Sequence, residues 1–221
     1  MNKSIVNAFS LAKKSFIKSF DQNLIKSIAL AYLVSGGGTI IFGSLETDPI
    51  NIPLFIFSYI WLILGPLIFF PILMEGLRAN ERKSNFIFPN FNLILKKTWK
   101  IFVAGIIPSI FIFLGTLCFI IPGIFIAKRY IYVSFIAEKE MIGPLASMEK
   151  SRVLSKKNGW SIIIAYLISS ICFMILSIPY LFITSLISYE LYPFLSLIIG
   201  WFVSITFNTI GYYGYLNAEN N

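Results

Sequence analysis

Histidine is absent from these 221 residues, and with it go the commonest general base and the commonest metal ligand. Cysteine is nearly absent. Cys118 and Cys172 each sit in an apolar segment, with neither metal-ligand spacing nor the density of a secreted disulfide framework. Charge is also scarce, at 13% of residues against 57% apolar and 17% aromatic. That balance excludes a soluble domain of this length and points to hydrocarbon as the solvent, where only helices or closed barrels span. The apolar runs are long and lack the strict alternation of barrel strands, so helices are expected. Lysines run through the first segment, unlike a cleavable leader.

What is present reads as an all-α polytopic bundle in a single domain, residues 1–221. Residues 3–20 form an amphipathic elbow helix, with Ile5, Ala8, Phe9, Ala12, Phe16 and Phe20 on one face and Lys3, Lys14 and Lys18 opposite. That face either rests in the membrane interface or packs on the protein's own cytoplasmic end. Transmembrane helices are expected at about 24–42, 52–77, 101–118, 122–137, 160–183 and 193–215, six spans forming three hairpins. The apolar run from Ile101 to Ala137 is too long for one span, so a turn is placed near Cys118–Ile121, with Pro122 in the first turn of the next helix. The Ser35-Gly36-Gly37-Gly38-Thr39 run permits close packing or unwound backbone in the first span. Asn158-Gly159 reads as a helix stop, and the Gly211–Tyr215 cluster as an aromatic interface anchor.

The excess of eight positive charges suggests nucleic acid at first sight, but its distribution assigns it to topology. All but Lys128 and Arg129 of the eighteen Lys and Arg residues fall in the N-terminal segment or in two charged regions, 78–100 and 139–157. The intervening loops carry Glu46, Asp48 and Glu190 and no cation. Both termini are therefore expected on the cytoplasmic side. Lysine pairs at Lys13-Lys14, Lys96-Lys97 and Lys156-Lys157 each precede a hairpin, a weak threefold repeat of basic elbow and helix pair.

Lys128 and Arg129 stand out because they fall inside the fourth span. Arg129 is expected about 10 Å along that helix at 1.5 Å per residue, where a cation needs a partner, a cavity or a lipid phosphate. The candidate anion, lipid or partner contact is thus Arg129 with Lys128 and Glu75. Lys3, Lys14, Lys18, Lys96, Lys97, Lys156 and Lys157 are expected to meet anionic headgroups. Glu138 and Glu140, with Lys139 between them, read as a solvated turn. No carboxylate pair, nucleophile or metal cluster suggests catalysis, so no cofactor or metal is expected and an enzyme is the least favoured reading.

Ile120-Ile121-Pro122-Gly123-Ile124 followed by Arg129, then Gly143-Pro144, Ser147, Ser151-Arg152-Val153-Leu154 and Asn158-Gly159-Trp160, resembles bacterial six-span integral membrane proteins. These are related to the membrane domain found with some glycerophosphodiester phosphodiesterases. Gly65-Pro66, Gly76-Leu77-Arg78 and Phe91 extend the likeness, which covers about 65–160. The resemblance implies a multi-pass protein of the bacterial inner membrane. Where that family has a phosphodiesterase, its catalytic residues lie in a separate domain that this sequence does not contain. The expected role is non-enzymatic: lipid interaction through anionic headgroups, or service to a second membrane protein or another copy of the chain. The alternative is a transporter or channel for a small or lipid-like solute, which a polar cavity reaching Arg129 would favour.

The six-span reading puts Cys118 at an outer turn and Cys172 mid-membrane. An impermeant thiol reagent added to intact cells is expected to label Cys118 and spare Cys172. Reporters fused to the two termini are expected on the same side, and opposite sides would contradict the reading.

Overall fold

The computed structural model describes residues 3–18, 20–22, 25–27, 29, 52–186 and 192–220. The predicted first span, its glycine run and the loops holding Glu46, Asp48 and Glu190 lie almost wholly outside them. Every regular element among the described residues is helical: α1 (Lys3–Lys18), α2 (Ile52–Glu81), α3 (Phe91–Cys118), α4 (Ile120–Tyr130), α5 (Val133–Glu140), α6 (Pro144–Leu186) and α7 (Tyr192–Asn220). Among the described residues, three stretches are long and apolar enough to cross a membrane: Phe91–Cys118, Ile120–Glu140 and Pro144–Ile175. The helices form two compact units, one of 1–20, 114–132 and 151–221, the other of 21–113 and 133–150.

Two expected boundaries are missing. α3 runs without a break through Lys96, Lys97 and Lys100, and α6 runs through Asn158-Gly159, so neither basic elbow is a separate helix. A glycine ends a helix by turning left-handed, and no described glycine has positive φ. Continuing the helix keeps every backbone bond internal, which an apolar solvent rewards.

In the first unit the chain reverses at Phe119, whose extended φ of −161° and ψ of 145° separate α3 from α4. Pro122 lies in the first turn of α4, as expected. Beside the reversal, a Cβ on Gly123 would lie 2.2 Å from Thr116 Oγ1 and 3.0 Å from Thr116 Cα. Glycine there lets two helix backbones approach closely.

The expected fourth span is two helices. α4 stops at Tyr130, and α5 begins at Val133 after a turn at Ile131-Tyr132. One hydroxyl serves the backbone groups freed by the break. Ser151 Oγ accepts from the Tyr132 N–H at 3.2 Å and donates to the Arg129 carbonyl at 3.0 Å. The Tyr132 side chain is fully buried, and its hydroxyl donates to the Gly214 carbonyl at 3.2 Å.

α1 lies against α7 through the narrow stripe Ala8, Leu11 and Ser15, with Lys14 Nζ 4.5 Å from the centre of the Tyr213 ring. Ile5, Phe9, Phe16 and Phe20 remain exposed. Tyr212, Tyr213 and Tyr215 are buried in this unit, and Tyr215 packs its ring against Tyr132. They are core residues and not the interface anchor expected from their clustering. Gly214 among them leaves room for Ile162 of α6.

In the second unit, Ile72, Leu73 and Leu77 of α2, Ile94 and Ile101 of α3, and Ile136 of α5 form the core, with Phe70 edge-on to Phe135.

Gly123→Ala is expected to lower the melting temperature in detergent, at a cost of about 1–3 kcal/mol, because the helix pair must part. Gly105→Ala, where a Cβ meets nothing within 4 Å, is the matched control and is expected to leave stability unchanged or raised.

Candidate functional site

Near the C-terminal end of α4, Phe125, Lys128 and Arg129 fall on adjoining positions at i, i+3 and i+4. On α6, Arg152, Ser155 and Lys156 repeat that spacing. These six residues line one cavity of about 410 Å³ within the first unit. Four of the six are cations, and no carboxylate is among them.

Each wall is fixed by local structure. Lys128 and Arg129 occupy the last turn of α4, where the helix dipole favours cations. The Lys128 stem crosses α6 at Gly159, where a Cβ would stand 2.9 Å from Lys128 Cγ. Gly159 is therefore a close-approach residue in a continuing helix. Lys128 Nζ then sits 5.0 Å from the centre of the Trp160 ring, a cation–π contact, and Phe125 meets the same ring edge-on at 5.2 Å. Ser151 holds the Arg129 carbonyl, while the Arg129 side chain is exposed. Ser155 Oγ donates to the Arg152 carbonyl at 3.2 Å.

Of the residues singled out from sequence, Lys128, Arg129 and Lys156 meet here, and Arg152 joins them unforeseen. The signal for Arg152 was its spacing: Arg152, Lys156 and Trp160 recur at i, i+4 and i+8 on one side of α6. Arg129 does not occupy mid-helix as expected. It is an exposed residue in the final turn of α4, immediately before the break.

Glu75 belongs to a different constellation, inside the second unit. Lys97 Nζ donates to Glu75 Oε1 at 2.8 Å and to Glu138 Oε1 at 2.7 Å. Arg78 donates to Glu75 Oε1 at 2.7 Å and to both oxygens of Glu138, closing a ring of two carboxylates and two cations. The Glu138 side chain is 1% exposed, so the solvated turn expected there is a buried charge instead. Lys97 likewise does not face headgroups. It shares the buried stripe of α3 with Ile94, Thr98 and Ile101, while Phe91, Leu95 and Trp99 point outward. In lipid an apolar face has no reason to turn inward, so the core claims the face that needs pairing.

The remaining expected headgroup residues are dispersed. Lys96 and Lys157 are exposed, as is Lys14 over its tyrosine, and Lys18 is half-buried. Lys3 lies in α1. Glu140 pairs with Lys150.

Glu138→Ala is expected to destabilise the protein by about 3–5 kcal/mol in detergent unfolding, since it leaves Arg78 and Lys97 to share the single carboxylate of Glu75. Combining Arg78→Met with Glu138→Leu removes one charge of each sign and is expected to recover most of that loss. Equal instability of the single and double variants would contradict the pairing.

Comparison of the chain with protein-family models, with curated proteins and with solved structures finds no match.

Proposed function

We propose that this chain is a non-enzymatic integral membrane protein that engages anionic lipid headgroups. In this reading it has six spans in three hairpins with both termini cytoplasmic, in a bacterial inner membrane, akin to the membrane-domain family its motifs resemble. The observation that carries the reading is the cavity with four lining cations and no lining carboxylate. Like charges brought together repel, and an anion between them offsets that repulsion. A phosphate suits the guanidinium forks of Arg129 and Arg152, each able to give two parallel hydrogen bonds.

α1 supports the same reading. Its packing stripe is narrow, leaving the aromatic face of Phe9 and Phe16 for the acyl boundary, with lysines on another side for headgroups.

A second reading is carriage of an anionic lipid-like solute. It draws on the cavity at Arg129 and on the interrupted helix next to it, since broken helices line sites in transporters. Flux of a fluorescent anionic lipid across proteoliposome membranes, faster than in protein-free vesicles, would favour carriage. Equal rates would leave binding alone.

Lipid analysis after mild detergent extraction tests the main proposal. Anionic lipids are expected to be enriched over zwitterionic ones relative to the source membrane. Replacing Lys3, Lys14 and Lys18 together by glutamine is expected to reduce the enrichment, as each lysine near the surface contributes about 1 kcal/mol at low salt. Retention of lipid in the membrane's own proportions would contradict the proposal.

A further inference from the structure

At the cavity α4 and α6 pass each other antiparallel, since later residues of α4 meet earlier residues of α6. Phe125 meets Trp160, Lys128 crosses at Gly159, and the Arg129 carbonyl is held by Ser151. Going back along α4 therefore follows α6 forward, and both helices present apolar side chains in that direction. On α4, Phe125 and Ile121 are exposed one and two turns before Arg129. On α6, the side that carries Lys156 continues as Trp160, Leu167 and Ile171, all exposed. From Trp160 to Ile171 is about 17 Å at 1.5 Å per residue, close to half the roughly 30 Å of a bilayer's hydrocarbon. Fixed cations thus lead onto apolar tracks one leaflet deep. That outline fits an amphiphile better than a soluble ion.

The lining also limits what can follow the phosphate. Arg152 is already engaged within the protein, so the charge that draws an anion is counted on Lys128, Arg129 and Lys156. A phosphate diester has one negative charge and two non-bridging oxygens, which the Arg129 guanidinium suits. A zwitterionic headgroup adds an ammonium beside that phosphate. Here the ammonium would meet Lys128, Arg129 and Lys156 at short range, and none of the six lining residues is a carboxylate that could receive it. Aromatic faces are the other common receptor for a choline ammonium, with tryptophan the best of them. Lys128 Nζ already stands over the Trp160 ring, 5.0 Å from its centre. The strongest aromatic receptor beside the cavity is therefore in use.

Building on the headgroup reading above, we infer that the cavity binds one phospholipid whose group beyond the phosphate is uncharged, such as glycerol. The phosphate lies among Lys128, Arg129 and Lys156, and the acyl chains run past Phe125 and Trp160 onto the two apolar tracks. Attraction of the phosphate selects an anion, and repulsion of a further cation selects against zwitterions.

The test uses the full chain in a mild uncharged detergent, with lipid adducts counted by native mass spectrometry. Dioctanoyl phosphatidylglycerol is the probe, dioctanoyl phosphatidylcholine supplies the same chains on a zwitterion, and glycerophosphoglycerol supplies the same headgroup without chains. Phosphatidylglycerol is expected to bind at least about tenfold more tightly than phosphatidylcholine, the size of effect that one like-charge contact carries. Glycerophosphoglycerol is expected to compete only weakly. Arg129→Gln is expected to lower phosphatidylglycerol affinity about tenfold or more, with Arg129→Lys recovering part of the loss. Lys83→Gln, on an exposed turn outside the lining, is expected to change nothing. A melting temperature like the parent's shows that the Arg129 variant is folded, and Lys156→Gln makes the same test if it is not. Equal affinity for the two lipids, both weakened by Arg129→Gln, would overturn the selection for an uncharged group. Glycerophosphoglycerol competing as well as the lipid would overturn the lipid assignment. Tight phosphatidylglycerol binding untouched by Arg129→Gln and by Lys156→Gln would overturn this site and leave the headgroup reading resting on α1. Failure of phosphatidylglycerol to bind would overturn both readings.

Discussion

The closed ring of Glu75, Arg78, Lys97 and Glu138 is the contact on which the second unit depends. It joins α2, α3 and α5 where apolar packing alone cannot decide which faces turn inward. Every member has a partner of opposite sign, and Arg78 grips Glu138 with two nitrogens. Such a ring is weak evidence of net stability, because desolvating the charges offsets much of their attraction. Its effect is specificity: any other rotation of α3 would strand Lys97 or bury Trp99 at its expense. The same demand, that polar groups be answered internally, explains Ser151. One hydroxyl answers both an N–H and a carbonyl at the break between α4 and α5, so the chain can stop a helix in an apolar stretch.

Against that background the cavity in the first unit is the exception. Four of its six lining residues are cations, and none of the six is a carboxylate. The arrangement is also built. Gly159 is open so that Lys128 can cross α6, Trp160 caps the ammonium, and Ser151 fixes the end of α4 that carries Arg129. A merely snorkelling lysine needs none of these supports. A space lined by fixed cations has a positive potential that attracts an anion.

Much of this was legible in the chain. Long apolar runs imposed helices, Pro122 marked the reversal beside Phe119, and the isolation of Lys128 and Arg129 from the other cations marked the site. Other features depend on pairings that local pattern cannot contain. Arg78 and Glu138 are sixty residues apart, and nothing near Glu138 distinguishes a buried carboxylate from a solvated one. Gly159 carries the signal of a helix stop, yet its function is to admit a neighbour's side chain. The tyrosines near Gly214 resemble an interface anchor by composition, but Tyr132, more than eighty positions earlier, makes them core. The inward turn of Lys97, expected at headgroups, has a physical reason: in lipid the greasy face of α3 is the outer one.

A density map of the protein purified in lipid nanodiscs containing an anionic phospholipid tests the central claim most directly. The account predicts phosphate density within hydrogen-bond reach of Arg129, Arg152 and Lys156, with acyl density running past Phe125 and Trp160. A cavity closed by one of the chain's own carboxylates, or filled by water while lipid phosphates gather elsewhere, would contradict it.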